Sequence, residues 1–447
     1  MDTHGRDPLQ ALVAEPRRER IDSLLERLDT HGVGRRQFIK LVGASAAALA
    51  AGRSFVAPGG VRAATASDGK IALLSWAQGN EYGVQWGKGH LGAAKQLGLK
   101  SVVLDGRWDA GVQANQFDQQ VLQGAAGIVI GANDPTAIPT LARSANQHKI
   151  LFADAWNQPP WYTPWDAGAY YDAYLVPDDT IAVAKTIDLL AKAINGKGTV
   201  VRVAGIKGAT AENLGYAGTL AGLKKHPQLK LAGQIYGQYN PATSQKVTAS
   251  LLTRYPDTVG VIAVDDDAAL GVIAAIRAAG KTPGKDIFVI GTDATKQGVQ
   301  NVASGAQLAT TGSTPTYPGY LTVTRFYDRL HGWSPKEAER MVGWTSVIVT
   351  KQNASAYKAR FVDTPEDAHF SATLLSRVKS PKSWDLQFGA YPIEDIGSVW
   401  PTTPRPANYK YPAAYTQAKK AGEFDQIRRL YAAHFKVPVL GPSPVKG

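Results

Sequence analysis

The sequence predicts an α/β protein with two doubly wound parallel-sheet lobes joined by a hinge, followed by a C-terminal extension. From Lys70 onward, short aliphatic runs alternate with stretches whose apolar residues recur at three- and four-residue spacing. The short runs are continuously apolar, which is typical of parallel strands covered by helices on both faces. The alternation forms two similar blocks, roughly 70–153 and 199–292, and these predict two lobes with a cleft between them.

Each predicted strand is rich in β-branched residues and is followed by a loop containing Gly, Asp or Asn. The predicted strands are 71–76, 101–104, 127–130, 150–153, 199–203, 230–235, 259–264 and 287–290. The predicted helices are 84–97, 113–122, 136–147, 180–194, 217–225, 243–254 and 268–279. A loop rich in Trp, Tyr and Pro, at 156–174, is predicted to join the blocks.

Residues 1–66 are predicted to be a twin-arginine signal peptide. Arg35 and Arg36 are followed by Gln-Phe-Ile-Lys, an uncharged run at 41–52 and the small-x-small pattern of 64–66. The run is too short to cross a bilayer as a helix. The alternative is a short buried helix after a chance arginine pair. The signal places the mature protein in the periplasm.

Composition and motifs exclude several classes of function. The absence of cysteine rules out disulfides, thiol nucleophiles and thiolate metal sites. The formal net charge is +12, but basic residues are scattered without interleaved aromatics, so no nucleic-acid partner is expected. The sequence has no phosphate-binding glycine loop, no nucleophile and base pair, and no closely spaced histidines. We therefore expect no catalytic residue, no metal and no cofactor.

The loops after the predicted strands are the candidate site, because ligands of open α/β sheets bind beyond the carboxyl ends of the strands. These loops are polar or aromatic almost throughout. They cover 78–82, 105–108, 133–134, 154–156, 205–208, 265–267 and 292–293.

Five segments resemble the periplasmic solute-binding proteins of ABC importers, of the ribose-binding type (type I). They are 71–75 with 79–82, 127–130 with 133–135, 260–271, 289–293 and 305–310, and the similarity covers about 70–350. The resemblance implies one lobe at 70–172 plus about 313–345 and a second at 173–312. It leaves 351–447 as an extension of unknown role. The aromatic residues and the helix-like stretch 413–434 there indicate a segment wrapped on the second lobe or a small appendage.

The resemblance also implies ligand-binding residues in the cleft. Position by position, they are Asn80, Tyr82, Asp154, Tyr239, Asp265, Asp293 and, where the ribose-binding type has Gln, Ser313. Trp156 of the Trp-rich loop is a further candidate. Ala155 and Gly215 stand at the family's two arginine positions, and Gly83 replaces an aromatic. These losses of volume predict a ligand larger than a pentose, unless Trp156, Trp161 or Trp165 folds back to fill the space.

The function implied is the capture of a small polar ligand, with a sugar or polyol favoured, by closure of the two lobes. An ABC permease would be the partner, and a monomer is expected. Lys207 or Arg107 would replace the missing arginines; otherwise an amino-bearing cationic ligand becomes plausible. A secreted enzyme acting on a sugar or amine, and a sensor subunit, are the alternatives from other classes.

Overall fold

The computed structural model describes residues 69–445, so the predicted signal peptide lies outside the described residues. Two separate sheets, each with helices on both sides, confirm the predicted fold class. No helix among residues 69–445 combines the length and apolar character needed to cross a membrane.

The first sheet has seven strands in the order β13-β11-β5-β4-β3-β1-β2. Its strands are β1 (Ile71–Ser75), β2 (Ser101–Asp105), β3 (Gly127–Ile130), β4 (Leu151–Ala155), β5 (Tyr171–Pro177), β11 (Met341–Trp344) and β13 (Ala390–Pro392). All neighbours are parallel except β13, which pairs antiparallel with β11. The associated helices are α1 (Glu81–Leu97), α2 (Ala110–Leu122), α3 (Ile138–Gln147) and α9 (Thr316–Leu330).

The second sheet has six strands in the order β12-β10-β9-β8-β6-β7. Its strands are β6 (Gly198–Ala204), β7 (Leu229–Tyr236), β8 (Thr258–Ala263), β9 (Phe288–Ile290), β10 (Ala309–Gly312) and β12 (Val347–Thr350), of which only β12 is antiparallel to its neighbour among the described strands. The associated helices are α4 (Asp179–Ala193), α5 (Thr210–Lys225), α6 (Pro241–Arg254), α7 (Asp266–Ala278), α8 (Lys296–Ser304) and α10 (Ala354–Phe361).

Capping residues explain why most helices begin earlier than the apolar spacing predicts. The Asn80 side chain accepts a hydrogen bond from the Gly83 backbone N–H at 3.0 Å, so α1 begins at Glu81 rather than at 84. Asp109 caps α2 in the same way. Polar residues accept hydrogen bonds from the first backbone N–H groups of a helix, so the helix can begin before its apolar stripe. Periodicity detects only the apolar stripe.

Close contact between α1 and α9 depends on glycine. A Cβ on Gly89 would lie 2.4 Å from the Thr316 carbonyl oxygen, and one on Gly319 would lie 2.5 Å from the His90 backbone nitrogen. Both distances are shorter than a carbon atom tolerates, so the two helices approach backbone to backbone. This contact fixes α1, whose first turn faces the cleft.

Strand β5 lies partly inside the loop predicted at 156–174. It hydrogen-bonds between β4 and β11, and its polar Asp172 is buried against Arg325, with Nε 2.9 Å from Oδ2. The polar residue interrupts the apolar run, which is why the pattern missed this strand. The lobe boundaries, 70–172 plus about 313–345 and 173–312, stay predictions.

The C-terminal segment packs mainly on the first sheet, whereas the sequence predicted either a segment wrapped on the second lobe or a small appendage. Strand β13 extends the first sheet, and an aromatic core that includes Trp384 and Trp400 packs against Tyr174 of β5. The further helices are α11 (Ala372–Leu375), α12 (Ala413–Lys420) and α13 (Glu423–Ala433). The helix-like stretch 413–434 is broken at Gly422, which has φ 69°.

Candidate ligand-binding site

A cavity of about 310 Å³ lies where the carboxyl ends of the two sheets meet. Each loop after strands β1 to β9 contributes at least one residue to its wall. In chain order, these loops supply Trp76, Trp108, Asn133, Trp156, Asp179, Lys207, Tyr239, Asp265, and Thr292 with Asp293. The position agrees with the rule for open α/β sheets, and the volume is that of a small-molecule site.

Six of the eight predicted site residues line this cavity. They are Asn80, Tyr82, Trp156, Tyr239, Asp265 and Asp293. Asp154 and Ser313 are buried outside the wall.

Asp154 lies inside β4 rather than after it, because the strand continues to Ala155. Its side chain therefore points to the same face as Phe152, where it accepts a hydrogen bond from the Tyr171 hydroxyl. Burial raises the pKa of this carboxyl, while the bond from Tyr171 opposes the rise. The geometry thus makes Asp154 part of the first lobe's interior.

Ser313 acts on the wall through Tyr82. Its hydroxyl is 3.1 Å from the Tyr82 hydroxyl, and its backbone carbonyl accepts a hydrogen bond from Trp344 Nε1 at 2.8 Å. Burial, followed by the charge of Asp293, raises the pKa of Tyr82, so the phenol stays neutral. Ser313 thereby fixes one aromatic ring of the cavity.

The first-lobe side of the cavity is an aromatic wall. Trp76, Tyr82 and Trp156 contact one another with ring centroids 5.2–6.0 Å apart, and Trp86 and Trp344 support them from behind. Edge-to-face packing of this kind holds the rings rigidly. Trp156 reaches its place through a left-handed backbone conformation with φ 64°. Trp76 was missed because the pattern placed it at the end of its strand.

The second-lobe side carries carboxylates. Asp265 caps α7, accepting the Ala268 N–H at 2.7 Å, and Asp293 has an unusual φ of 93° in the turn after β9. Burial, then repulsion from neighbouring acids, raises the pKa of both carboxyls. Burial and Asp178 raise the pKa of Asp179 to about 7. Asp179 was missed because the strand before it, β5, was missed.

The arginines of the family are only partly replaced. Lys207 lies on the cavity wall but is exposed, whereas Arg107 is exposed and outside the wall. Arg202 approaches the wall behind Gly215, but its guanidinium is paired with the buried Glu212, Nη2 to Oε2 at 3.0 Å. The wall is therefore acidic.

Asn157 was also missed, and it connects the two lobes at the cavity. Its Nδ2 donates to the Ala132 carbonyl at 2.8 Å, and its Oδ1 accepts the Thr210 N–H at 3.1 Å. A second link joins Glu81 Oε1 to the Lys296 N–H at 2.6 Å.

No group of three or more His, Cys, Asp or Glu in the described part of the chain is arranged to hold a metal ion.

The arrangement suits a small hydroxylated molecule. Aromatic faces pack on the apolar C–H surface of such a ligand, while carboxylates and amides orient its hydroxyl groups. Two α/β lobes with a ligand-sized cavity at their facing strand ends define the class of bilobed solute-binding proteins.

Comparison with known proteins identifies the family. Residues 71–332 match the model of the periplasmic binding protein domain, and the chain belongs to that family. It is 27% identical over 256 residues to the ribose import binding protein RbsB of Bacillus subtilis, covering 57% of this chain and 79% of that protein. It is 26% identical over 272 residues to the xylitol-binding protein of Mycolicibacterium smegmatis, covering 60% and 74%.

A solved structure agrees with this assignment. The twin-arginine translocation pathway signal protein from Burkholderia phytofirmans is 26% identical and superposes with a TM-score of 0.62, covering 66% of this chain and 94% of that one. The sequence-based resemblance to type I periplasmic binding proteins is thereby confirmed.

Proposed function

We propose that the protein is exported to the periplasm by the twin-arginine route, captures a sugar or polyol between its lobes and presents the closed form to an ABC permease. The observation that carries this is the cavity between the lobes, with aromatic rings on one side and carboxylates on the other. Relatives named for ribose import and for xylitol binding support the ligand class.

Closure of the lobes would be the working step. Asn157 and Glu81 each hydrogen-bond to a backbone N–H of the other lobe, beside the cavity. A ligand that touches both walls stabilises the arrangement in which these contacts form, and it shifts the population toward that state. The ligand leaves unchanged, so the protein acts by binding and not by catalysis.

Ligand-dependent unfolding of the mature protein tests the proposal. A ligand that binds only the folded state adds about 2.7 kcal/mol of stability at about 100 times its dissociation constant. Tryptophan fluorescence would report unfolding against pentoses, hexoses, pentitols and cyclitols. We expect a rise in Tm with at least one of them, and the bound compound should be recovered chemically unchanged.

Gly215→Leu supplies the matched variant. A Cβ at Gly215 meets only Arg202 Nη2, at 3.5 Å, so a leucine enters the cavity without a backbone clash. We expect it to abolish the ligand-dependent rise, whereas Gly111→Leu on the exposed surface of α2 should keep it. An unchanged rise in Gly215→Leu, or turnover of the bound sugar, would contradict the proposal.

A further inference from the structure

The cavity wall holds three carboxylates that no protein cation offsets. Asp179, Asp265 and Asp293 come from three different elements and line the same space. Among the described wall residues the one basic side chain is that of Lys207, which is exposed to solvent. Burial raises the pKa of Asp293, and the nearby charges that raise it further are those of other acids, namely Asp265, Asp266, Asp179 and Asp267.

Other buried carboxylates of this chain are either paired with a cation or, as with Asp154 and Asp266, held by hydrogen bonds from neighbouring side chains. Asp172 is paired with Arg325, Glu212 with Arg202, and Glu339 with Arg377. A buried charge without a partner is costly, so these pairings are what a fold requires for its own stability. The three wall carboxylates have no such cation, and unlike Asp154 and Asp266 they line the cavity, where a cationic group of a ligand would reach them.

The other wall residues can contact the uncharged part of a cationic ligand. Trp76 is 8% exposed, and its indole Nε1 has no hydrogen-bond partner within the described chain; the buried Tyr239 hydroxyl also has none. Both residues line the cavity and can pair with hydroxyl groups. Aromatic faces opposite the carboxylates also attract a cation through their ring electrons.

We propose that the ligand is a polyhydroxylated molecule that carries a protonated amino group, in the class of amino sugars and aminocyclitols. Its ammonium lies among Asp179, Asp265 and Asp293, its carbon skeleton packs on Trp76 and Trp156, and its hydroxyls reach Trp76 Nε1 and the Tyr239 hydroxyl. This inference rests on the proposed function, which makes the cleft the ligand site.

Calorimetry with matched ligands tests the inference. The probes are an aldohexose, its 2-amino-2-deoxy form and its N-acetylated form, together with a cyclitol and the corresponding aminocyclitol. On the mature wild-type chain at neutral pH, we expect an amine to bind at least about tenfold more tightly than its neutral counterpart. N-acetylation removes the charge and should abolish the preference.

Asparagine variants locate the effect. Asp293→Asn and Asp179→Asn should each reduce the preference for the amine to less than about threefold. Asp265→Asn should do the same and keep its helix cap, because asparagine also accepts the Ala268 N–H. The control is Asp118→Asn, an exposed residue of α2, which should keep the full preference.

The outcomes separate this inference from the proposed function. Binding of a neutral sugar or polyol that is equal to or tighter than that of its amine overturns the inference and leaves the function intact. A preference that survives all three wall variants overturns the assignment to these carboxylates. Absence of binding by every probe contradicts both.

Discussion

Asn157 hydrogen-bonds to Thr210 across the cleft, with its Oδ1 3.1 Å from the Thr210 backbone nitrogen. The same side chain is held to the first lobe through Ala132, so it links the lobe that carries the aromatic wall to the first turn of α5. The Asn157 side chain is fixed on one lobe and accepts a hydrogen bond from the first turn of a helix in the other lobe. This bond contributes to stability only when the two lobes are close together. On the proposed closure of the lobes, this bond favours the closed state without touching the core of either lobe.

Asn157→Ala should weaken ligand binding by about three- to tenfold, which corresponds to the net loss of one or two hydrogen bonds. The unliganded protein should unfold within about 0.5 kcal/mol of wild type, because a partly exposed loop residue is changed. Calorimetry and chemical unfolding would measure the two effects. The control is Asn213→Ala, whose side chain bonds only within the second lobe, to the Gly208 carbonyl. An equal loss of affinity in both variants would remove the cross-cleft role of Asn157.

Glu366 of the C-terminal segment forms a third link between the lobes, through two ion pairs. Its Oε1 is 3.1 Å from Lys88 Nζ of α1 and 3.1 Å from Lys296 Nζ of α8. Burial opposes ionisation here, but backbone and lysine hydrogen bonds outweigh it and lower the pKa of Glu366 to about 2. The carboxylate contributes stability above its unfolded pKa near 4.5, and this contribution is lost as the pH falls toward 2.

Glu366→Gln should therefore lower ligand affinity by about two- to fivefold at pH 7 and low salt, since partly exposed ion pairs contribute up to about 1 kcal/mol. At about 0.5 M salt the difference should shrink, because screening weakens the pairs in wild type. Asp363→Asn, which breaks the exposed pair with Lys358, is the control and should leave affinity unchanged. A salt-independent effect of Glu366→Gln would count against this explanation.

Asp179 should make the stability of the unliganded protein depend on pH. Its pKa is raised to about 7, mainly by burial and then by Asp178, so the folded state holds a proton that the unfolded chain releases near 3.8. The stability from this group is fully present below about pH 3.8 and is lost as the pH rises through 7. Asp179→Asn keeps the shape of the protonated carboxyl but cannot ionise. The difference between its unfolding free energy and that of wild type should therefore increase by about 1–2 kcal/mol from pH 5 to pH 8, in favour of the variant.

Urea unfolding at those two pH values measures this change. The exposed Asp118→Asn serves as the reference, because it alters the net charge without altering the cavity. A parallel pH dependence in wild type and Asp179→Asn would show that Asp179 is already ionised in the folded protein.

Sequence reasoning located the cavity more accurately than it located each contact. The continuous apolar runs predicted eight strands, and polar residues after them predicted where the wall lies, because parallel strands end together at one edge. The pattern failed where a polar residue lies inside a strand. Asp172 interrupts the apolar run of β5, so this strand and the wall residue Asp179 after it were not predicted. The pattern also placed Asp154 after β4, whereas the strand continues one residue further and turns the side chain inward.

The contacts between lobes were not predictable from local pattern. The link from Asn157 to Thr210 joins residues 53 apart, and that from Glu81 to Lys296 joins residues 215 apart. Neither spacing has a period or motif that marks it, because such contacts depend on how two separately folded sheets face each other. The same holds for β13, whose three residues form a strand only because the edge of β11 is available.

Arg377 connects the C-terminal segment to the residues just before β11. Its guanidinium lies over Trp384 at 4.2 Å and Trp333 at 4.8 Å from the ring centroids. It also pairs with Glu339, which is fully buried before β11. Removal of the arginine would leave the Glu339 carboxylate buried without a counter-charge, a change that typically costs 3–5 kcal/mol.

Arg377→Met keeps the apolar stem but loses the charge, and it should destabilise the protein by about 3 kcal/mol in urea unfolding. Limited proteolysis should then cut the C-terminal segment faster than the rest of the chain. Adding Glu339→Gln should recover at least about half of the loss, because the unpaired charge is removed together with its partner.

Arg405→Met, an exposed arginine over Tyr411, is the matched control and should cost less than about 1 kcal/mol. Ligand affinity should stay within about twofold of wild type in all of these variants, since neither Arg377 nor Glu339 lines the cavity. If Arg377→Met were as stable as the control, the aromatic core of the segment would hold it without the buried ion pair.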